Sequence, residues 1–460
     1  MSRCFGIWYN MDRMRKIFRS LHEKLGDFWW YSLMIFCACR AADLLNAFVG
    51  LWLVPKHVGT AELGAVAPLT NFAAFLAIPA SVFANTFRNE VARLSAGGEF
   101  GKLRSLMRGV FWAAAAFLAL ALSVAKFTLP VFLERIRVAE GSLGFVVIAA
   151  AFLGATSPVY SSAVQALKKF KLQSAIQIAG APVRVAAMLV AMPFRALTGY
   201  FVGQASVPAF SIAVSVIGLR KELSVPAEPY WTGAAVRRFA ALFAVFGAYA
   251  ISGGLQGVVE STVIRQRLPE IDSAGYYMAT RFSEIASYLH CALAFAFFPF
   301  AAELAAKKRD ARRLVLKATG ANLLFCAALA AALLVFGGRI LALLPNGAEY
   351  SAYWWVAPWL VVLTGVSCFH DMYFTSEFAA GRFAFLKWMV PVNIVYPALL
   401  LAVTGYGHFT SFLPAEWTAF LDAHNVRSLE TMLWWTTAFV AVKTFCCAAA
   451  MSRKRDAANP

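Results

Sequence analysis

Charge is what this 460-residue chain has least of. Only 14% of its residues are Asp, Glu, Lys or Arg, against about 25% in an ordinary soluble domain. With 60% hydrophobic residues, that scarcity excludes a disordered chain and a typical soluble enzyme. Acidic side chains are the rarer sign, 24 against 42 basic ones, which gives a formal net charge of +18. Motifs for covalent chemistry are missing as well. There is no phosphate-binding loop, so ATP hydrolysis on this chain is not expected. The six histidines form no cluster, and no nucleophile motif stands out. Seven of the eight cysteines, all but Cys4, lie inside apolar runs and none makes a CxxC pair. They read as small core residues rather than as disulfides or metal ligands. The expectation is a protein that is not an enzyme and needs no metal or cofactor.

What the chain does have is long apolar runs and a mean hydropathy of +0.65. A bilayer core needs about 20 apolar residues per helix. On that basis the sequence holds twelve spans: 28–54, 64–86, 107–130, 143–166, 174–194, 197–219, 238–263, 275–300, 315–336, 352–377, 384–406 and 430–451. The divisions around Pro193 and Arg195, and around Gly381 and Arg382, are the thinnest. With the N-terminus placed in the cytoplasm, the inner segments carry 29 Lys/Arg and 10 Asp/Glu, and the outer segments 9 and 9. That asymmetry follows the positive-inside rule, puts both termini in the cytoplasm and explains the net charge without nucleic acid.

The first 27 residues lack the short apolar core and A-x-A-like site of a cleavable signal. Their apolar residues recur at helical spacing among Arg13, Arg15, Lys16, Arg19 and Lys24. This reads as an amphipathic segment on the anionic inner leaflet or as a basic tail. Phe409, Phe412, Trp417 and Phe420 suggest that the long 402–430 connection dips into the opposite interface.

Two stretches repeat one pattern. Glu62-Leu63-Gly64, Phe72, Pro79 and the basic loop Gly101-Lys102-Leu103-Arg104 match Ser273-Ala274-Gly275, Phe282, Pro299 and Arg309-Asp310-Ala311-Arg312. Lys169-Phe170 matches Arg382-Phe383 at an offset of 213. Six helices separate the copies, so the halves share one orientation and are parallel repeats. The expected architecture is all-α and polytopic, with an N-lobe over 28–219, a cytoplasmic linker over 220–237, a C-lobe over 238–451 and a cytoplasmic tail over 452–460. Two like-oriented lobes with a cleft between them form a transporter architecture, with the site expected near the midplane at the lobe interface.

Ionisable groups at bilayer depth need a reason to be there. Arg40 and Asp43 share a face of the first span, and Arg281 and Glu284 share one in the eighth. Either pair also reads as a local ion pair. Arg184 has no acidic partner within a turn and is the best candidate for a cavity-lining cation. Glu260, Glu377 and Lys443 either serve function or snorkel to an interface. Asp43, Glu260 and Asp371 are candidates for coupling transport to a proton or Na⁺ gradient, and arginines in a cleft suit a phosphate or pyrophosphate.

The order and spacing of several short motifs resemble a known family. Leu53-Val54-Pro55-Lys56-His57-Val58-Gly59-Thr60-Ala61-Glu62-Leu63-Gly64 joins the first two helices. Ala274-Gly275-Tyr276-Tyr277-Met278-Ala279 opens the eighth, and Leu343-Leu344-Pro345-Asn346-Gly347-Ala348-Glu349-Tyr350 precedes the tenth. Over about 28–451 the chain is similar to the multidrug/oligosaccharidyl-lipid/polysaccharide (MOP) flippases, most of all to their polysaccharide-transporter (Wzx-type) members. The resemblance implies a MATE-like fold of twelve transmembrane helices in two six-helix lobes in the bacterial inner membrane. It implies a flippase for an undecaprenyl-pyrophosphate-linked oligosaccharide in surface polysaccharide biosynthesis, alongside polymerase and envelope-assembly partners. Arg40, Arg184 and Arg281 would then be the cavity cations. The carboxylate-rich interior also resembles that of the superfamily's proton- or Na⁺-coupled drug and organic-cation exporters, which is the alternative reading.

Overall fold

The computed structural model describes residues 41–404 and 425–458, apart from 140, 168 and 308. The amphipathic N-terminal segment, Arg40 and most of the 402–430 connection lie outside these residues. Among the described residues there is no strand. Twelve long helices follow in chain order. They are α1 (41–57, with Val49–Leu53 wound as a π-helix), α2 (Thr60–Ala96), α3 (Phe100–Arg135), α4 (Gly141–Ala166), α5 (Phe170–Ala191) and α6 (Ala196–Gly218). After a connector over 219–232 come α7 (Gly233–Arg267), α8 (Glu270–Ala306), α9 (Arg312–Ala342), α10 (Val356–Ala379), α11 (Leu386–Val403) and α12 (Leu429–Ala458). Each expected span falls on one of these helices, and α7 begins inside what was expected to be linker.

The two thin divisions are real turns. Arg195 adopts an extended conformation between α5 and α6. Gly381 sits at φ +66 between α10 and α11, a conformation that glycine accepts without strain. Eight of the described helices are long and apolar enough to cross a membrane. A ninth is α10 taken with its lead-in Gly347–Tyr353, bent by 58°. The helices α7 and α8 carry Glu260, Arg265, Arg281, Glu284 and His290. These two helices pack against α2 at the lobe junction, so part of their surface faces protein rather than lipid.

The repeat is visible in the packing. In the N-lobe α2 lies on α4, and in the C-lobe the equivalent α8 lies on α10. The lobes meet where α2 touches α7 and α8. At one end of the bundle a single apolar core runs through both lobes, from Val49, Leu69 and Leu133 to Ile264, Tyr277 and Leu341. Toward the connector the core splits. One cluster around Phe87, Leu103 and Leu219 belongs to the N-lobe, and another around Phe297, Met372 and Phe385 belongs to the C-lobe. Among the described residues, the buried core is thus shared between the lobes at one end and separate at the other.

The connector is strapped to the N-lobe. Arg104 Nη1 donates to Val225 O at 2.8 Å, and Tyr230 OH donates to Glu90 Oε1 at 2.8 Å. Lys169 Nζ pairs with Glu222 at 2.7 Å. A Cβ on Gly109 would fall 1.9 Å from Trp231 Nε1, so only glycine lets that indole dock on α3.

Candidate functional site

A cavity of about 570 Å³ lies within the N-lobe, lined from α1, α2, α4, α5 and α6. The sequence placed the site at the lobe junction instead. Small side chains explain the difference: Ala73, Ala77, Ala151, Gly154, Gly180 and Ala181 leave space that larger residues would fill. Arg184 lines this cavity. Its Nη1 donates to Asn46 Oδ1 at 2.6 Å, and its guanidinium carbon lies 5.9 Å from the centre of the Tyr200 ring. Asp43 lines the same cavity one turn before Asn46.

Arg281 is placed differently. Its Nη1 pairs with Glu284 Oε1 at 2.8 Å, and its guanidinium carbon lies 4.5 Å from the centre of the Tyr277 ring. Its aliphatic stem runs beneath Gly50 of α1, where a Cβ would come within 2.8 Å of Cδ. The local ion-pair reading of Arg281 and Glu284 is therefore the one observed. Asp43, Arg184, Arg281 and Glu284 still share one neighbourhood, because Tyr288 feels the charge of all four.

The other two carboxylates are in the C-lobe and apart from the cavity. Buried Glu260 accepts from Tyr396 OH at 2.6 Å, Gln256 Nε2 at 3.1 Å and Thr436 Oγ1 at 3.3 Å. It is held by hydrogen bonds rather than reaching for an interface. Asp371 Oδ2 lies 3.1 Å from His290 Nε2, and the other ring nitrogen, Nδ1, lies 3.0 Å from Cys368 Sγ. Lys443 also stays in the interior, its ammonium 5.8 Å from the Phe374 ring and 5.6 Å from that of Phe439. Glu377 meets Arg382 at the end of α10. Asn46 extends the face of Arg40 and Asp43 in the first span, whereas His290, Cys368 and Tyr396 were not singled out as site residues in the sequence. A residue facing an ionisable group across the bundle leaves no local spacing signal.

The end opposite the connector is latched. Arg265, 1% exposed, donates from Nε to Ile136 O at 2.8 Å, and Arg137 Nη2 donates to Gln266 O at 3.0 Å. Each arginine thus satisfies a carbonyl near the end of a helix in the other lobe, where such groups lack partners and the helix dipole is negative. Ser273 Oγ donates to Gly64 O at 3.1 Å, Asn346 Nδ2 to Pro55 O at 2.9 Å and Thr60 Oγ1 to Glu349 Oε2 at 2.5 Å. Gly64 is required there, since a Cβ would fall 2.8 Å from the Ser273 side chain.

No family model matches the chain, and no curated protein sequence does. Solved structures do. "Lipid II flippase MurJ, inward closed conformation" aligns at a TM-score of 0.64 with 12% identity, covering 91% of this chain and 87% of that one. An inward-facing multidrug resistance MATE family transporter of the MOP superfamily aligns at 0.60 with 12% identity, covering 90% and 96%. The bent form of the Vibrio cholerae MATE transporter VcmN aligns at 0.55 with 15% identity, covering 94% and 98%. The chain therefore has the fold of a multi-pass membrane transporter. More particularly, it is an all-helical, MATE-like fold, and the structures it matches are transporters and flippases rather than enzymes.

Proposed function

We propose that this protein is a flippase that carries an undecaprenyl-pyrophosphate-linked oligosaccharide across the bacterial inner membrane for surface polysaccharide assembly. The supporting observation is the 570 Å³ cavity, which sets hydroxyl and amide side chains among small apolar ones and bears Arg184. Such a space shelters a hydrophilic head, while the polyprenyl tail stays in lipid. In this reading the basic connector end is cytoplasmic, both termini lie on that side, and the 219–232 connector divides two lobes that rock in alternation. Arg184 offers its guanidinium to the head, with Arg281 and Arg40 as further cations along its path. Asp43, Glu260 and Asp371 are the places where a coupling proton or Na⁺ would bind. Polymerase and envelope-assembly proteins are the expected partners.

A leaflet-specific assay in cells tests this. Deletion should trap lipid-linked repeat units on the inner leaflet. Units that remain fully accessible from outside would reject the reading. A second reading, a proton- or Na⁺-coupled exporter of organic cations, is favoured by Asp43 in the cavity wall. It predicts dye efflux that disappears in Asp371→Asn, and unchanged cation resistance on overexpression counts against it.

A further inference from the structure

Resting on the flippase reading, we infer that the N-lobe cavity is a subsite for the uncharged sugars of the head group and that the pyrophosphate stays outside it. The first ground is charge. Arg184 and Asp43 line the cavity with opposite formal signs, and the neighbouring Arg281 is paired with Glu284. The described ionic groups therefore sum to zero. A pyrophosphate entering this space would bring charge that none of the described side chains balances, in a setting where uncompensated ions are strongly disfavoured. An organic cation would bring the opposite excess and face Arg184.

The second ground is the wall. Thr70, Ser157, Ser161, Gln177, Gln204 and Ser211 all line the cavity, and all are neutral groups able to donate and accept. Arg184 and Gln177 are seven residues apart on α5, so the neutral wall runs about 10 Å from the charged end toward the connector. Backbone adds acceptors. Pro158 and Pro208 have no N–H for the carbonyls of Gly154 and Gln204 four residues back, and all four residues border the cavity. A dense set of uncharged donors and acceptors among small Ala and Gly side chains matches a rigid polyhydroxyl ring. Such a site rejects ligands that leave its polar groups unpaired.

The test uses the full chain in phosphatidylcholine proteoliposomes with three photoreactive decyl probes that differ only in the head: a glucoside, a quaternary ammonium and a pyrophosphate. Crosslinked peptides are mapped by mass spectrometry. The glucoside should label the segments 150–161 and 177–211, and its labelling should fall at least tenfold in Gln177→Leu/Gln204→Leu. Ser157→Asp adds a negative charge and should move the preference at least tenfold toward the ammonium probe, and it decides the question if the double variant misfolds. Equal labelling of these segments by the pyrophosphate or ammonium probe in the unsubstituted protein overturns the inference. So does glucoside labelling that neither substitution changes. Glucoside labelling with no flipping in cells would reject the flippase reading alone. Normal flipping with an unlabelled cavity would reject the subsite alone.

Discussion

The two lobes descend from one pattern but use their interiors in opposite ways. At the offset of 213, Gly180 and Val183 of α5 correspond to Asn393 and Tyr396 of α11. Gly180 borders open space. Asn393 is fully buried and donates to Ser252 Oγ at 3.3 Å. Tyr396 stacks on Phe439 with ring centres 4.3 Å apart and reaches Glu260. At these two positions one lobe leaves space and the other fills it. Repeated backbones do not impose repeated chemistry. Side-chain volume at a few equivalent sites decides whether a lobe has room for cargo or closes around its own ionisable groups.

The contrast can be broken from either side. Emptying the filled lobe should have the largest effect. Tyr396→Ala removes a stacked ring and a donor to buried Glu260, and should cost about 3–5 kcal/mol, read by denaturant unfolding in detergent. An unchanged midpoint would mean that the C-lobe is not held this way. Filling the hollow lobe should do the reverse, hurting transport and sparing stability. A Cβ on Gly154 meets nothing within 4 Å, so Gly154→Leu should lower flipping at least tenfold. Its thermal midpoint should hold or rise, because leucine favours helix over glycine by up to about 1 kcal/mol. Normal flipping by a well-folded Gly154→Leu protein would remove the cavity from the transport path. Arg184→Ala sharpens the same comparison. It should impair flipping several-fold more than it lowers the unfolding midpoint, and a matched loss in both would make Arg184 a packing residue.

The smallest effect is expected outside the lobes. Partial burial pushes the Glu222 carboxyl up, but the Lys169 hydrogen bond, a local backbone amide and the charges of Lys169 and Lys221 outweigh it. The net result holds Glu222 below the usual carboxylate range. Its contribution is therefore present above the unfolded pKa of about 4.3 and is lost as pH falls through the lower folded value. Proteolysis of the 219–232 connector should accelerate only below about pH 4. An onset near pH 6 would implicate another group.

Much of the architecture was readable in advance. Helix number, order and the internal repeat follow from apolar runs and loop charge, because lipid imposes one demand on every span. Arg184 could be found because a cation without a local partner needs a cavity or a distant neighbour, and it has both. The cavity's location could not be read. It depends on the sum of absent volume across five helices, and no single alanine announces a void. The neighbours of Asp371 were hidden for a related reason. Cys368 is three residues away, but His290 joins them from α8, 81 positions earlier in the chain. Arg265 lies just past the seventh span, 238–263, and only the docked end of α3 makes it a bridge between lobes.

That bridge has a thermodynamic side. Among the described residues, the two non-glycine positions with left-handed backbones are Arg137 at φ 56 and Asn346 at φ 58, and both are donors across the latch. Asparagine accepts this conformation readily, while an arginine gives up about 1–2 kcal/mol to hold it. Fastening that end therefore winds a small spring into the turn after α3. When the guanidinium lets go of the opposite carbonyl, the turn can relax, returning part of what the broken hydrogen bonds require. A catch loaded in this way closes firmly yet never sinks into a deep well, which suits the alternation of the lobes in the proposed flippase cycle.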